Sequence, residues 1–172
     1  GRKDAGKNVD TLIQYYCEYI KRNETELQLV LIGGGQIDIP KNATNRIHDL
    51  GFVEAQDKYD AYAAAEFLCQ PSHNESFSLV IMESWLCGRP VLVSDACEVT
   101  KGFAREANGG LYFRDYYEFE HCTDYLLKHE QEAKVLGMQG REYVLKKFEW
   151  DIIIEKYLEF FRKVVSGGTE SI

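Results

Sequence analysis

Apolar positions along this chain follow two rhythms. Short aliphatic runs, bounded by glycine, proline and small polar residues, read as buried strands. They are Leu27–Ile32, Ile47–Val53 with a glycine break, Glu66–Gln70, Val91–Ser94 and Gly110–Phe113. Between them apolar residues recur at helical spacing. Val9–Arg22 carries Leu12, Ile13, Tyr16, Cys17 and Ile20 at such positions. Asp57–Ala65 is alanine-rich, and Val99–Glu106 reads as a short helix. Another helix opens at roughly Ser76–Ser78 and stops at Gly88-Arg89-Pro90, with glycine at the stop and proline just beyond. Three helices close the chain, Tyr116–His129, Gln131–Phe148 and Trp150–Val165. In the last, Ile153, Ile154, Tyr157, Leu158, Phe161, Val164 and Val165 form one stripe, with Asp151, Glu155, Glu159 and Arg162 opposite.

Strands alternating with helices predict βαβ units, hence an α/β, Rossmann-like, doubly wound parallel sheet with helices on both faces. Ligands of such sheets bind at the carboxyl ends of the strands. The turns at Gly33–Gly35, Pro71–Ser78 and Asp95–Glu98, with the loop Gly1–Asn8, are therefore the places to search.

At 172 residues the chain fits one domain, here residues 1–165, with 166–172 as a flexible tail around Ser166-Gly167-Gly168-Thr169. The net charge of −8 argues against a general nucleic-acid or anionic-membrane surface, while leaving room for a local phosphate site. The five cysteines (17, 69, 87, 97 and 122) form no C-x-x-C pair and read as small buried hydrophobes of a reducing compartment, with no zinc site. No signal peptide or apolar span of about 18 residues is present, so a cytoplasmic location is expected. The four histidines show no ligand spacing, and His73, in the key turn, lacks a visible orienting partner for acid–base work. No cofactor or metal is expected.

Pro71 to Pro90 carries the candidate chemistry. Glu75 lies in the turn and Glu83 inside the helix. The helical neighbours of Glu83 are Leu79, Val80, Leu86 and Cys87, which predicts a carboxylate on an apolar face. Burying an unpaired charge costs several kcal/mol, roughly, so Glu83 needs donors. Helix-start N–H groups near Ser76 and Ser78 face an anion, and either serine could cap them. A carboxylate can also accept both hydroxyls of a vicinal diol such as ribose. Phosphate at the helix start with one carboxylate on each side suits a nucleoside-diphosphate sugar. The plainer reading makes Glu75 a turn residue at the helix dipole and Glu83 an exposed helix position.

Gly1-x4-Gly6-Lys7 approaches a Walker A loop, but Asn8 stands where that loop needs Ser or Thr. Arg2 and Lys7 put two cations on one loop, either for a diphosphate or as solvated charges. Gly33-Gly34-Gly35 lacks the last glycine of a dinucleotide fingerprint and marks close backbone approach or merely a turn.

Pro71-Ser72-x-x-Glu75-Ser76-Phe77-Ser78-Leu79-Val80-x-x-Glu83, with Gly88-x-Pro90-Val91, resembles the E-x7-E signature of GT4-type retaining glycosyltransferases of the GT-B fold. Gly1-Arg2-x4-Lys7, Leu29–Gly35, Gly51-Phe52-Val53, Asn108-Gly109-Gly110-Leu111 and Phe148-Glu149-Trp150 resemble further family segments, in order. The resemblance implies the carboxy-terminal, donor-binding half of such an enzyme. Arg2 and Lys7 would then neutralise the diphosphate. Glu75 would contact the donor sugar and Glu83 the ribose. Backbone near Ser76, Phe77, Ser78, Leu79 and Gly33 would cradle sugar or phosphate, and Phe52 and Val53 would flank the base.

The implied partners are a UDP-, GDP- or ADP-linked sugar and an amino-terminal GT-B domain, which this sequence does not contain. Without that domain the chain should not transfer the sugar. Membrane association of the full-length enzyme stays open, and part of the last helix's stripe should be exposed. The chain departs from the family at Ser78, where glycine is usual, at Asp95-Ala96-Cys97, and before Gly1, where the family has a central strand. The alternatives are a nucleotide-sugar epimerase, a phosphorylase (for which no pyridoxal-phosphate lysine is evident) and a non-catalytic nucleotide-binding or interaction domain.

Overall fold

The structure is a computed structural model and describes residues 1–166. The expected flexible tail lies outside these residues, apart from Ser166, the turn that ends the last helix.

Among the described residues, five parallel strands form two hydrogen-bonded groups. Strands β1 (Leu29–Ile32) and β2 (Ile47–Gly51) pair with Leu29 opposite Ile47. Strands β3 (Leu68–Gln70), β4 (Val91–Ser94) and β5 (Gly110–Phe113) form the second group in that order. Seven α-helices intervene or follow: α1 (Val9–Arg22), α2 (Ala55–Ala64), α3 (Leu79–Leu86), α4 (Glu98–Ala107), α5 (Tyr116–Lys128), α6 (Glu130–Phe148) and α7 (Trp150–Val165).

The sides of β4 show why helices cover both faces. Val91, Leu92 and Val93 are all fully buried. Successive strand side chains point to opposite faces. Val91 and Val93 pack with Ile81, Met82 and Trp85 of α3, Ala104 and Ala107 of α4 and Val144 of α6. Leu92 packs instead with Leu12 and Tyr19 of α1 and with Phe119 and Leu126 of α5. A third cluster joins Ile13 and Tyr16 of α1 to Leu31 and Ile47. The stripe read from α1 therefore splits between two cores, and α1 fastens the β1–β2 pair to the rest.

Boundaries shifted where backbone geometry decides them. β2 stops at Gly51, whose φ of 62° turns the chain before Val53. The helix expected from Ser76–Ser78 begins at Leu79. Ser78 precedes it at φ 69°, left-handed for a residue with a side chain, and makes no side-chain cap. The resemblance expects glycine at this position, and a left-handed backbone gives a physical reason for one.

The cysteines correct the sequence reading: Cys97 is buried, and the other four are only partly so. Cys17, Cys69 and Cys122 sit at the margins of the cores; Cys122 lies beside the Tyr112 carbonyl. Burial pushes its thiol up to about 11, so it stays protonated at neutral pH. Helix α7 buries no residue, and Tyr157, Phe161 and Val165 are 61%, 56% and 87% exposed, as the stripe predicted. No helix among the described residues is long and apolar enough to cross a membrane.

Candidate functional site

The loop Gly1–Lys7 lies across the glycine turn that follows β1. Its Gly1 amine donates to the Ile32 carbonyl at 2.9 Å, and the Lys3 N–H to the Gly34 carbonyl at 2.7 Å. A side chain on Gly33 (φ 126°) would overlap the Gly1 carbonyl, and one on Gly35 (φ 119°) the Lys3 carbonyl. The close approach read from the glycines is thus made by this chain's own loop. The Gly33 N–H is taken as well, by the Gly51 carbonyl at 2.7 Å.

Lys3, 3% exposed at its side chain, pairs with Asp49 of β2 and pins the loop from below. The Lys3 ammonium, helped by the Gly51 N–H, holds the Asp49 carboxyl below its usual value. A depressed folded-state pKa gives stability that is present above the unfolded value, about 3.9, and lost as pH falls through the folded one. Asp49→Asn is therefore expected to destabilise by roughly 2 kcal/mol at pH 7, less than a fully buried pair because Asp49 is 27% exposed. Urea unfolding of both proteins should show that gap closing below pH 4 or so. A gap constant with pH would show that the pair contributes through packing alone.

Above this anchor, Lys7 and Glu75 meet. Lys7 Nζ donates to Glu75 Oε1 at 2.7 Å, and the Glu75 side chain is only 8% exposed. Gln70, the last residue of β3, donates from Nε2 to the same oxygen at 2.7 Å and to Ser78 Oγ at 3.3 Å. Asn8, left-handed at φ 55°, donates to the Pro71 carbonyl at 3.2 Å and lies 3.0 Å from His73 Nε2. The loop and the Pro71–Ser78 turn are thereby tied side by side at the carboxyl ends of β1 and β3. His73 does have a neighbour, but it is an amide and not a carboxylate.

The face assigned to Glu83 needs correction. Leu79 and Leu86 do flank it, but they are 68% and 41% exposed, so that side of α3 is not the core side. The buried residues Ile81, Met82 and Trp85 take the other side. Glu83 is 20% exposed, and its donors come from α2: Lys58 Nζ reaches Oε1 at 2.6 Å and the Tyr62 hydroxyl reaches Oε2 at 3.1 Å. The Glu83 charge raises the Lys58 pKa mainly through that hydrogen bond.

The other candidates spread around this centre. Arg2 is 81% exposed, 3.5 Å from Asp4. Ser76 is exposed, and the partly buried Phe77 packs its ring edge-on to Phe103 and Phe148 at 5.4 and 5.2 Å. Phe52 is 87% exposed beside Gly34, where an added side chain would come within 2.6 Å of its ring, and Val53 is half-buried. The two lysine–carboxylate pairs, Lys7 with Glu75 and Lys58 with Glu83, use carboxylates eight positions apart, one in the turn before α3 and one within it.

Sequence reading missed Gln70, Lys58 and Tyr62. A polar residue closing a buried strand was a signal for Gln70. Lys58 and Tyr62 are four apart and share a helix face, but nothing in the sequence aimed that face at α3.

The model for glycosyl transferases group 1 matches residues 1–129. A D-inositol 3-phosphate glycosyltransferase of Gordonia bronchialis is 25% identical over 183 aligned residues, covering 97% of this chain and 40% of that protein. Glycogen synthase of Elusimicrobium minutum is 24% identical, covering 96% and 36%. This chain thus spans about two-fifths of the length of such relatives. Among solved structures, sucrose-phosphate synthase from Thermosynechococcus elongatus superposes with a TM-score of 0.80 at 24% identity, covering 98% of this chain and 45% of that one. Anabaena HepE in complex with UDP gives 0.76 at 19% identity, covering 95% and 47%. The fold is the Rossmann-like carboxy-terminal half of GT-B glycosyltransferases, and the chain belongs to the group 1 glycosyltransferase family.

Proposed function

We propose that this domain binds a nucleoside-diphosphate sugar for transfer to an acceptor with retention of anomeric configuration. The observation that carries the reading is the meeting of Lys7 with Glu75 just beyond the carboxyl end of β3, with the Glu83 carboxylate further along, in α3. Lys7 and Arg2 supply charge for the diphosphate, and α3 points its first N–H groups the same way. Glu75 and the backbone of Phe77, Ser78 and Leu79 take the sugar, Glu83 the ribose, and Phe52 and Val53 the base. As the bond to the anomeric carbon breaks, charge grows on the departing diphosphate, where the two cations stabilise it. HepE binding UDP and UDP-glucose supports this choice of ligand. An acceptor needs the second GT-B domain, so the chain alone should bind donor and not transfer it. A cytoplasmic place fits free thiols and a nucleotide donor.

A thermal-shift panel of UDP-, GDP- and ADP-sugars tests the reading. One of them at 100 times its dissociation constant should stabilise by about 2.7 kcal/mol, which is roughly 5–10 °C for a domain of this size. The shift should vanish in Glu83→Ala and Arg2→Ala. A shift unchanged by both, or none with any donor, overturns the assignment.

A further inference from the structure

We propose that Lys58 and Tyr62 of α2 are positioning residues that set the plane of the Glu83 carboxylate for a ribose diol. The inference rests on the reading of Glu83 as the ribose acceptor and deepens it.

Helix α2, like α7, buries none of its residues. Its inward side chains are therefore not explained by a core. Lys58 and Tyr62 sit one helical turn apart and each takes a different oxygen of Glu83, Oε1 at 2.6 Å and Oε2 at 3.1 Å. Two donors on two oxygens fix both the position and the rotation of the carboxylate. Each carboxylate oxygen offers about two lone-pair directions. The arrangement leaves one on each oxygen, which matches the two hydroxyls of a vicinal diol.

The donors are themselves held. Lys58 Nζ lies 4.9 Å from the centre of the Tyr59 ring. Burial first, then the Glu83 charge, raises the Tyr62 phenol well above its usual pKa, so it stays a donor throughout the neutral range. The Arg89 guanidinium donates to the Ala63 carbonyl and fastens the end of α2 beside α3. A carboxylate oriented before the ligand arrives loses less freedom on binding than a free glutamate, and the gain falls on the ribose alone.

Calorimetry on the 172-residue chain with UDP, GDP and ADP, each beside its 2′,3′-dideoxy form, and with pyrophosphate, tests this. The wild type should prefer a ribo form at least tenfold, two hydrogen bonds to a charged acceptor being worth that or more. Tyr62→Phe and Lys58→Met should each cut the preference about fivefold or more while pyrophosphate affinity stays within about twofold, and Lys58→Arg should restore most of it. Preference retained in both variants overturns the inference alone. Equal loss of ribo, dideoxy and pyrophosphate binding in Lys58→Met makes Lys58 a phosphate cation and also overturns it. A wild type with no ribo preference, or no nucleotide binding, removes the ribose reading beneath it. Should Tyr62→Phe fail to fold, the Lys58 pair of variants decides.

Discussion

Trp85→Ala is expected to remove about 4 kcal/mol of stability, within the 3–5 kcal/mol typical of deleting a large buried aromatic. Trp85 of α3 is fully buried in the cluster shared with β4, α4 and α6. Its indole N–H donates to the Gly109 carbonyl at 2.8 Å, just before β5. Two glycines open its slot: a side chain on Gly109 would come within 2.7 Å of the ring, and one on Gly140 of α6 would overlap it. Gly137 lets α6 settle against the Gly88 carbonyl in the same way. Truncation to alanine leaves a cavity and takes one of two donors from the Gly109 carbonyl, which keeps only the Val91 N–H at 3.2 Å, and neither helix can collapse without breaking the other's contacts. Most domains have only 5–15 kcal/mol in hand. Chemical denaturation followed by far-UV circular dichroism should show the midpoint falling steeply, with Trp85→Phe losing roughly half as much. Because α3 carries Glu83, donor binding should weaken along with folding. A loss near 1 kcal/mol would mean that the slot closes, and that the glycines are not what holds it open.

The slot shows what the sequence could and could not convey. Val91–Ser94 and Gly110–Phe113 were readable to the residue because continuous aliphatic runs ended at strong punctuation. The role of Trp85 was not, since its partners Gly109 and Gly140 are 24 and 55 positions away by residue number and carry no side chain to signal contact. Two glycines three apart inside α6 were the available hint, because a mid-helix glycine is costly unless close packing requires it. The same limit explains Glu83. Its apolar neighbours on the wheel were correctly identified, but hydrophobicity alone could not say which apolar side of α3 met the sheet. Ile81, Met82 and Trp85 won that place, leaving Leu79 and Leu86 outward. The pairing of Lys7 with Glu75 was equally hidden. Both residues were singled out for a ligand, and spacing along the chain does not tell that they also reach each other.

That mutual contact makes Lys7→Met the second large effect, expected at about 3 kcal/mol of destabilisation. Glu75 is 8% exposed, and without Lys7 its negative charge has only Gln70 as a donor among the described residues. Removing one member of a buried pair leaves the other uncompensated, which costs more than the pair contributes. The consequence distinguishes this ion pair from the exposed ones, such as Lys146 with Glu142 on α6, whose loss should leave stability nearly unchanged. Adding Glu75→Gln to Lys7→Met should restore most of the stability, since the neutral amide needs no counter-charge and can still bond Gln70. Urea unfolding of the two single variants and the double variant gives the coupling directly. Donor affinity should behave differently. On the proposed reading it should fall in Lys7→Met and stay low in the double variant, because the diphosphate would have lost its cation whatever the state of Glu75. Recovery of both stability and binding in the double variant would show that Lys7 serves only to hold Glu75. Recovery of stability without binding gives Lys7 two tasks in one position, holding the carboxylate while the site is empty and meeting the diphosphate when it is filled.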